Sequence, residues 1–444
     1  MRIRQGLRTR ILAVAIAAFP IQAIAGLADE FFTLKGHGGP VMDIAVSPDT
    51  GLVATASFDN SVGLWDGRTP RWLEGHEAAV NAVRFVGTTG LVSAGDDFSV
   101  RLWNLEGEDA RILGRHKGKV MSLAVSPDHS LVASASWDGT IGLWPLGGGE
   151  GIFLAGHAAG VNDVVFSADG GLLYSASTDG TIRSWDIATL QQKRLVLRHG
   201  FGVNKLALNA EQNWLAYGTV DGITRVIDLA TDARISDFTL ERRPILSIAL
   251  DERAGKLAVG DGDGFIMVVD TSTWKIIHDF RAALRGPIWA LAFSRDGTNV
   301  DAGGIESIVY SWPLADVAEF GPMADSKPKF LKDPAKMENG ERQFARKCSI
   351  CHSLSPDGGR KAGPTLHAVF GRRAGTLAGY RYSATLAGSD IIWNEATIEE
   401  LFELGPDHYI PGSKMPMQRI TAQKDRDDLV NYLRRATAPG EKLE

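Results

Sequence analysis

Five histidines, His37, His76, His116, His157 and His199, recur every 39 to 42 residues, and Trp65, Trp103, Trp144 and Trp185 keep nearly the same interval. No other feature limits the fold as much. A period of this length means repeated supersecondary blocks, none of which can bury its apolar face without its neighbours. Between the markers run short apolar alternations: Val41-Met42-Asp43-Ile44-Ala45-Val46, Leu52-Val53-Ala54-Thr55-Ala56-Ser57 and Ser61-Val62-Gly63-Leu64-Trp65. Alternation of this kind is the signature of strands. Turn chemistry separates them, as at Ser47-Pro48-Asp49 and Trp137-Asp138-Gly139-Thr140. Seven units can be counted. The first four are complete, and the fifth keeps His199 and Asp221 but has Ile227 in the tryptophan place. The sixth (246–269) and seventh (288–312) keep the strand pattern and lose the histidine.

The pairs Gly36-His37, Gly75-His76 and Gly156-His157, with Trp65-Asp66 and Trp185-Asp186, resemble the G-H and W-D signatures of the WD-repeat (WD40) β-propeller family. The resemblance implies an all-β, seven-bladed propeller over residues 26–316. It also implies a hydrogen-bonded tetrad in each complete blade. Candidates are His116, Asp138, Ser134 or Ser136, and Trp144, and again His157, Asp179, Ser175 or Ser177, and Trp185. A repeated Ser/His/Asp set suggests hydrolytic catalysis, but one copy per unit is better read as one solution for pairing buried polar groups, repeated. The histidines, one per blade, are too scattered to share a metal. Phe31-Phe32-Thr33-Leu34 stands before the first Gly-His as Ile152-Phe153-Leu154 does before a later one, while the seventh unit ends near Trp312 without an outer strand. Residues 30–35 are therefore expected to complete the seventh blade and remove a free edge.

The chemistry lies elsewhere, in Cys348-Ser349-Ile350-Cys351-His352. C-x-x-C-H is the attachment pattern of a c-type haem: two thiols three residues apart reach two vinyl groups of one porphyrin, and the next histidine offers a nitrogen to the iron. Zinc would need further ligands, and the chain has no third cysteine. A thioredoxin-like pair would have no use for His352.

From 339 to 437 the chain resembles the class I cytochrome c family, mitochondrial-type members included. Gly340 and Phe344 precede the motif, Gly363-Pro364-Thr365-Leu366-His367 matches a G-P-x-L loop, and Phe370-Gly371-Arg372-Arg373-Ala374-Gly375 matches F-G-R-x-x-G. Tyr409-Ile410-Pro411-Gly412-Ser413-Lys414-Met415 matches Y-I-P-G-T-K-M, and Leu429 and Tyr432 fall in the last helix, which in the family crosses the first. The resemblance implies a small all-α domain with one covalent haem c on Cys348 and Cys351, and His352 and Met415 as axial ligands. It implies Pro364 packed against His352, and Arg372, Tyr382 and Trp393 around a propionate. Two departures stand out: one extra residue between Trp393 and Pro406, and Phe402 where a tyrosine is often found. Met417 is the alternative to Met415 as sixth ligand. A His/Met pair holds the potential high and leaves no open position on the iron, which favours outer-sphere electron transfer over catalysis.

Arg2, Arg4, Arg8 and Arg10, an apolar core over 11–19 and Ala23-Ile24-Ala25 read as an export signal cleaved after Ala25, with no membrane insertion after cleavage. With a c-type haem motif this points to the bacterial periplasm. The only two cysteines belong to that motif, so no structural disulfide is available. The organisation expected is signal 1–25, propeller 26–316, linker 317–333 and cytochrome 334–444, with Asp333-Pro334 as a helix start. Residues 26–334 carry 27 Lys and Arg against 39 Asp and Glu, whereas 335–444 carry 16 against 14. So acidic a body excludes nucleic acid as a partner. The expected function is that of a periplasmic electron carrier, not an enzyme, whose propeller docks redox partner proteins. The alternatives are an oxidoreductase subunit whose propeller binds substrate or a second cofactor, and a redox-sensing adaptor. Lys347 and Lys414 flank the haem segments as candidate steering charges.

Overall fold

The computed structural model describes residues 30–317 and 337–438, apart from 108–109, 210, 240–243, 284–285, 358–360, 381, 412–414 and 416–418. The expected signal and its cleavage site, nearly all of the linker with Asp333-Pro334, Lys414 and Met417 lie outside the described residues.

Seven four-stranded antiparallel sheets follow one another along the chain. The first blade consists of Val41–Val46, Val53–Ser57, Ser61–Asp66 and Thr69–Glu74, from the innermost strand outward. Its second and third strands are almost wholly buried, and their residues are small or branched, so that neighbouring blades approach closely at the narrow end of the wedge. In every blade the pairing of the first two strands slips after the first residue, as between Val41 and Asp43 or Val161 and Asp163. A bulge at this point sharpens the twist and turns one side chain aside. In three blades that side chain is an asparagine, Asn81, Asn162 or Asn204. Its amide donates to the first carbonyl of the next blade, at Val120, Val203 and Ile245, over 2.9–3.0 Å.

The tetrads form in the first four blades. In the third, Asp138 accepts from His116 Nδ1 at 3.0 Å, Ser134 Oγ bonds His116 Nε2 at 2.7 Å and accepts from Trp144 Nε1 at 2.7 Å. The alternative Ser136 instead accepts from the backbone of Asp138. In the fourth blade Ser175, not Ser177, occupies the hydroxyl position. The repeated Ser/His/Asp sets are thus buried braces. In the seventh blade Ala302 stands at the register position of Ser134, and the Trp312 indole N–H has no partner among the described residues.

Closure occurs as the sequence suggests. Phe32–Lys35 pairs antiparallel with Ile308–Pro313, Phe32 opposite Ser311 and Lys35 opposite Ile308. Leu34 is 2% exposed, packed with Val41, Trp65 and Val309 from the first and seventh blades. Asn299 Nδ2 donates to the Glu30 carbonyl at 3.1 Å, tying down the incoming chain.

The second unit is α-helical: α1 (Asn339–Lys347), a single turn α2 (Ala384–Ala387), α3 (Glu395–Leu404), a single turn α4 (Pro406–Tyr409) and α5 (Gln423–Ala436). Helix α1 starts behind Glu338, and α3 behind Asn394 in a capping box with Thr397. Where α1 crosses α5, a Cβ on Gly340 would fall 2.0 Å from the Asp428 carbonyl, so only glycine permits the approach. Phe344 and Tyr432 pack across the crossing with ring centres 5.8 Å apart. Among the described residues no helix is long and apolar enough to cross a membrane.

Two outcomes test this picture. Leu34→Ala should lower propeller stability by about 3 kcal/mol, and removing residues 30–35 should broaden or abolish cooperative unfolding in urea followed by tryptophan fluorescence. An unchanged midpoint would show that the ring closes without this strand. Acid should also destabilise the propeller. Burial holds His76, His116 and His157 below their ordinary value, so stability complete above about pH 6.5 is lost as pH falls. Asp97 and Asp179, opposed by burial but held low by bonds to histidine, hydroxyl and backbone N–H, add a second loss below about pH 4. Asp301 works the other way: burial pushes it up to about 6, and one of its carboxylate oxygens has no hydrogen-bond partner. Asp301→Asn should therefore raise Tm at pH 7, and the gain should shrink as pH falls from about 6 towards the ordinary carboxylate value, becoming small near pH 4; equal gains at pH 7 and pH 4 would refute the assignment.

Candidate functional site

Cys348, Cys351 and His352 sit on a turn that continues α1. The N–H of Cys351 and that of His352 both donate to the Cys348 carbonyl, at 3.0 and 2.9 Å. This turn puts both sulfurs on one side, with the imidazole beside them. A loop then brings Pro364 back against the histidine. The Pro364 carbonyl accepts from His352 Nδ1 at 2.8 Å. Since a carbonyl only accepts, the proton is fixed on Nδ1 and the lone pair of Nε2 is left for a metal. The Gly363 N–H donates to the Cys351 carbonyl at 2.7 Å. A Cβ on Gly363 would lie 2.4–2.8 Å from the imidazole ring, so the loop reaches the histidine only because this residue has no side chain.

These groups open into a cavity of about 440 Å³. Its apolar wall includes Leu366, Val369, Leu386, Ile398, Leu401 and Phe402, from α2, α3 and the intervening loops. Met415, half-buried, lines the same cavity as His352 and belongs to the same apolar cluster. Phe402 is 4% exposed and presents a plain ring where a phenol would have offered a donor. Arg372, Tyr382 and Trp393 also line the cavity. Arg372 is held by donating to the Thr365 and His367 carbonyls at 2.8 and 3.1 Å. Backbone bonds between Gly371, Arg372 and Trp393 fix the indole segment to the arginine loop. All eight residues singled out in the sequence, Cys348, Cys351, His352, Pro364, Arg372, Tyr382, Trp393 and Met415, therefore gather in one place.

Sequence reasoning passed over Tyr380. It lines the cavity, donates its hydroxyl to the Ala362 carbonyl at 2.5 Å and meets Tyr382 edge-on with ring centres 4.8 Å apart. The tyrosine pair at i, i+2 in Gly379-Tyr380-Arg381-Tyr382 was the available signal. Lys361, also passed over, donates to the Ile350 carbonyl at 3.4 Å beside the cysteine turn.

The electrostatics are those of a dry, neutral pocket. Burial pushes the Cys348 thiol up to about 12 and Cys351 up to about 11. Burial also lowers the proton affinity of His352, more than the Pro364 carbonyl restores, so the imidazole is a neutral donor of its lone pair. Burial raises Tyr382 and lowers Arg372, and each of the two partly offsets the shift of the other. Among the described residues no cluster of three or more His, Cys, Asp or Glu offers a rival metal site. Two thiols one helical turn apart, a buried imidazole with one nitrogen free, a thioether in the same cavity and an apolar wall fit a haem c, attached through Cys348 and Cys351.

Comparison with known proteins agrees. Residues 337–437 match the family model described as cytochrome c, and 29–66, 67–104, 107–145 and 150–186 match the WD domain, G-beta repeat. A cytochrome c of Sesamum indicum is 41% identical over 105 residues, 24% of this chain and 94% of that protein. One of Gibberella zeae is 40% identical over 101 residues, 23% of this chain and 94% of that protein. A third, of Chlamydomonas reinhardtii, is 40% identical over 110 residues, 24% of this chain and 97% of that protein. These relatives overturn the expected periplasmic location: they come from a plant, a fungus and a green alga, organisms without a bacterial periplasm. The basic, acid-free N-terminal segment misdirected that reading because such composition is common to targeting signals for more than one membrane. A cytochrome c domain implies haem-based electron transfer, and a WD40 propeller implies protein interaction. The chain belongs to the cytochrome c family through residues 337–437, which it carries behind WD40 repeats closed into a seven-bladed propeller.

Proposed function

We propose that this protein is a one-electron carrier, not an enzyme, in which His352 and Met415 would hold the iron of a single haem c and the propeller docks the redox partner. The observation that supports it best is the His352–Pro364 bond, which commits the imidazole to ligation through Nε2 in a cavity that Met415 also lines. The haem supplies a reversible one-electron centre when bound. The chain's own residues do the rest. Gly363 lets the loop approach, and Pro364 holds the tautomer and orientation of His352. The apolar wall excludes water, which with a neutral sulfur ligand favours the reduced state. Arg372, anchored on two carbonyls, keeps a cation at the cavity with Tyr382 and Trp393, where a propionate carboxylate would be neutralised. Lys347 lines the cavity rim and provides a positive charge for an approaching partner.

Met415→Ala should retain covalent haem, lose the sulfur-to-iron charge-transfer absorption and lower the potential by on the order of 0.1–0.3 V, within the ~0.8 V range that axial ligands span. Met417→Ala should change neither; the reverse result would move the sixth ligand to Met417. The docking role is tested by comparing the intact chain with a 337–438 fragment. At low concentration the intact chain should exchange electrons with its protein partner at least about 10-fold faster, because tethering raises the effective concentration. Equal rates would leave the propeller without a docking role.

A further inference from the structure

The haem cavity is not enclosed by the cytochrome alone. Phe58, Asn60, Glu77, Asp96, Phe98 and Lys119 line it from the other side, and all belong to loops at one end of the first two blades. Three observations make this contact more than a chance approach. The first is backbone conformation. At the turn between the second and third strands the blades need a residue with positive φ, and the first, third, fourth, fifth and sixth use Asn60, Gly139, Gly180, Gly222 and Gly264. The second blade alone places a phenylalanine there, Phe98 at φ 65°. A bulky side chain in the left-handed region is strained, and strain of this kind is kept where a side chain has work to do. Phe98 is 39% exposed, so it fills no propeller core; it faces the cavity.

The second is polar fixation. Asp96, next to the tetrad aspartate Asp97, accepts from Asn81 Nδ2 at 2.7 Å and pairs with Lys119, so the loop carrying Phe98 is clamped from the first strand of its own blade and from the connection leading into the next. The third is charge. Glu77, and Asp96 with its partner Lys119, share the cavity lining with Lys347, and Asp59 is near enough to Lys361 to oppose in part the lowering that burial imposes on that ammonium. Acidic groups of the propeller thus stand near two lysines of the cytochrome unit.

We propose that the end loops of blades one and two form the outer wall of the haem crevice, and that Phe98 is a positioning residue shielding its mouth from water. The inference rests on the haem reading above and deepens it. The propeller then does more than hold a partner. It sets how much water reaches the centre, and hence the reduction potential and the access of small reagents. Trp137 and Phe201, exposed on other end loops, are not among the described residues that line the crevice.

The test uses the full-length haem-loaded protein. Phe98→Gly installs the residue that four other blades already use at this point, so the fold should be retained and Tm unchanged or raised. It should make reduction by a small hydrophilic reductant such as ascorbate several-fold faster and shift the potential downward, with axial ligation unchanged by absorption spectroscopy. In the wild-type chain a short amine-reactive cross-linker should join Lys119 to Lys347, detected as a linked peptide by mass spectrometry. No such peptide, together with wild-type rate and potential in Phe98→Gly, would overturn the shielding role while leaving the electron carrier in place. A wild-type haem that does not cycle reversibly would remove both.

Discussion

A ring of wedge-shaped sheets holds only if its last sheet is joined to its first. Here that join is one short strand, Phe32–Lys35, laid against Ile308–Pro313. Without it the seventh blade would have three strands and an open row of N–H and C=O groups, and the blade-to-blade packing would lose its circular support. Everything else in the propeller is local and repeated: the bulge after the first residue of each blade, the asparagines that reach the next blade and the His/Asp/hydroxyl/Trp brace. The brace decays from the fifth blade on, and the seventh keeps Trp312 with its N–H unpaired. The closing blade thus holds its tryptophan without the brace. Its compensation is apolar, in the cluster of Leu34, Val41, Trp65 and Val309.

The cytochrome unit solves a different problem, that of fixing an imidazole and leaving one nitrogen available. Two glycines make this possible by having no side chain. Gly340 lets α1 cross α5, which sets the direction in which the cysteine turn leaves α1. Gly363 lets the Pro364 carbonyl reach His352. The site is built on backbone geometry first and on charge second. Burial, the leading influence on Cys348, Cys351 and His352, favours the neutral form of each.

The two units meet at that cavity. A propeller with 24 basic against 36 acidic residues over 26–316 stands beside a slightly basic helical domain. Glu77, Asp96 and Lys119 from the first and Lys347 from the second line the cavity together. Tethering and shielding then belong to one arrangement, in which the repeat domain governs access to the redox centre it accompanies.

Much of this was legible in the sequence because it depends on spacing. A 39–42-residue period specifies blades, and C-x-x-C-H specifies a covalent haem whatever surrounds it. Chain connectivity also made the closing strand legible, since Phe31-Phe32-Thr33-Leu34 had no partner in its own blade. The choice of Ser134 over Ser136 was not legible. Both alternate in one strand, and only the register against Gly142 and Trp144 decides which hydroxyl reaches the histidine. The basic N-terminal segment could not name a compartment, because its charge and hydropathy suit several. Phe98 looked like any turn residue until its positive φ and its place in the wall of the haem cavity were known. Sequence by itself determined which units exist and which residues bear the chemistry, because periodicity and motif spacing are properties of the chain. Tertiary structure alone decided which surfaces face the haem cavity, because loops far apart in the sequence share a wall only once the ring has closed.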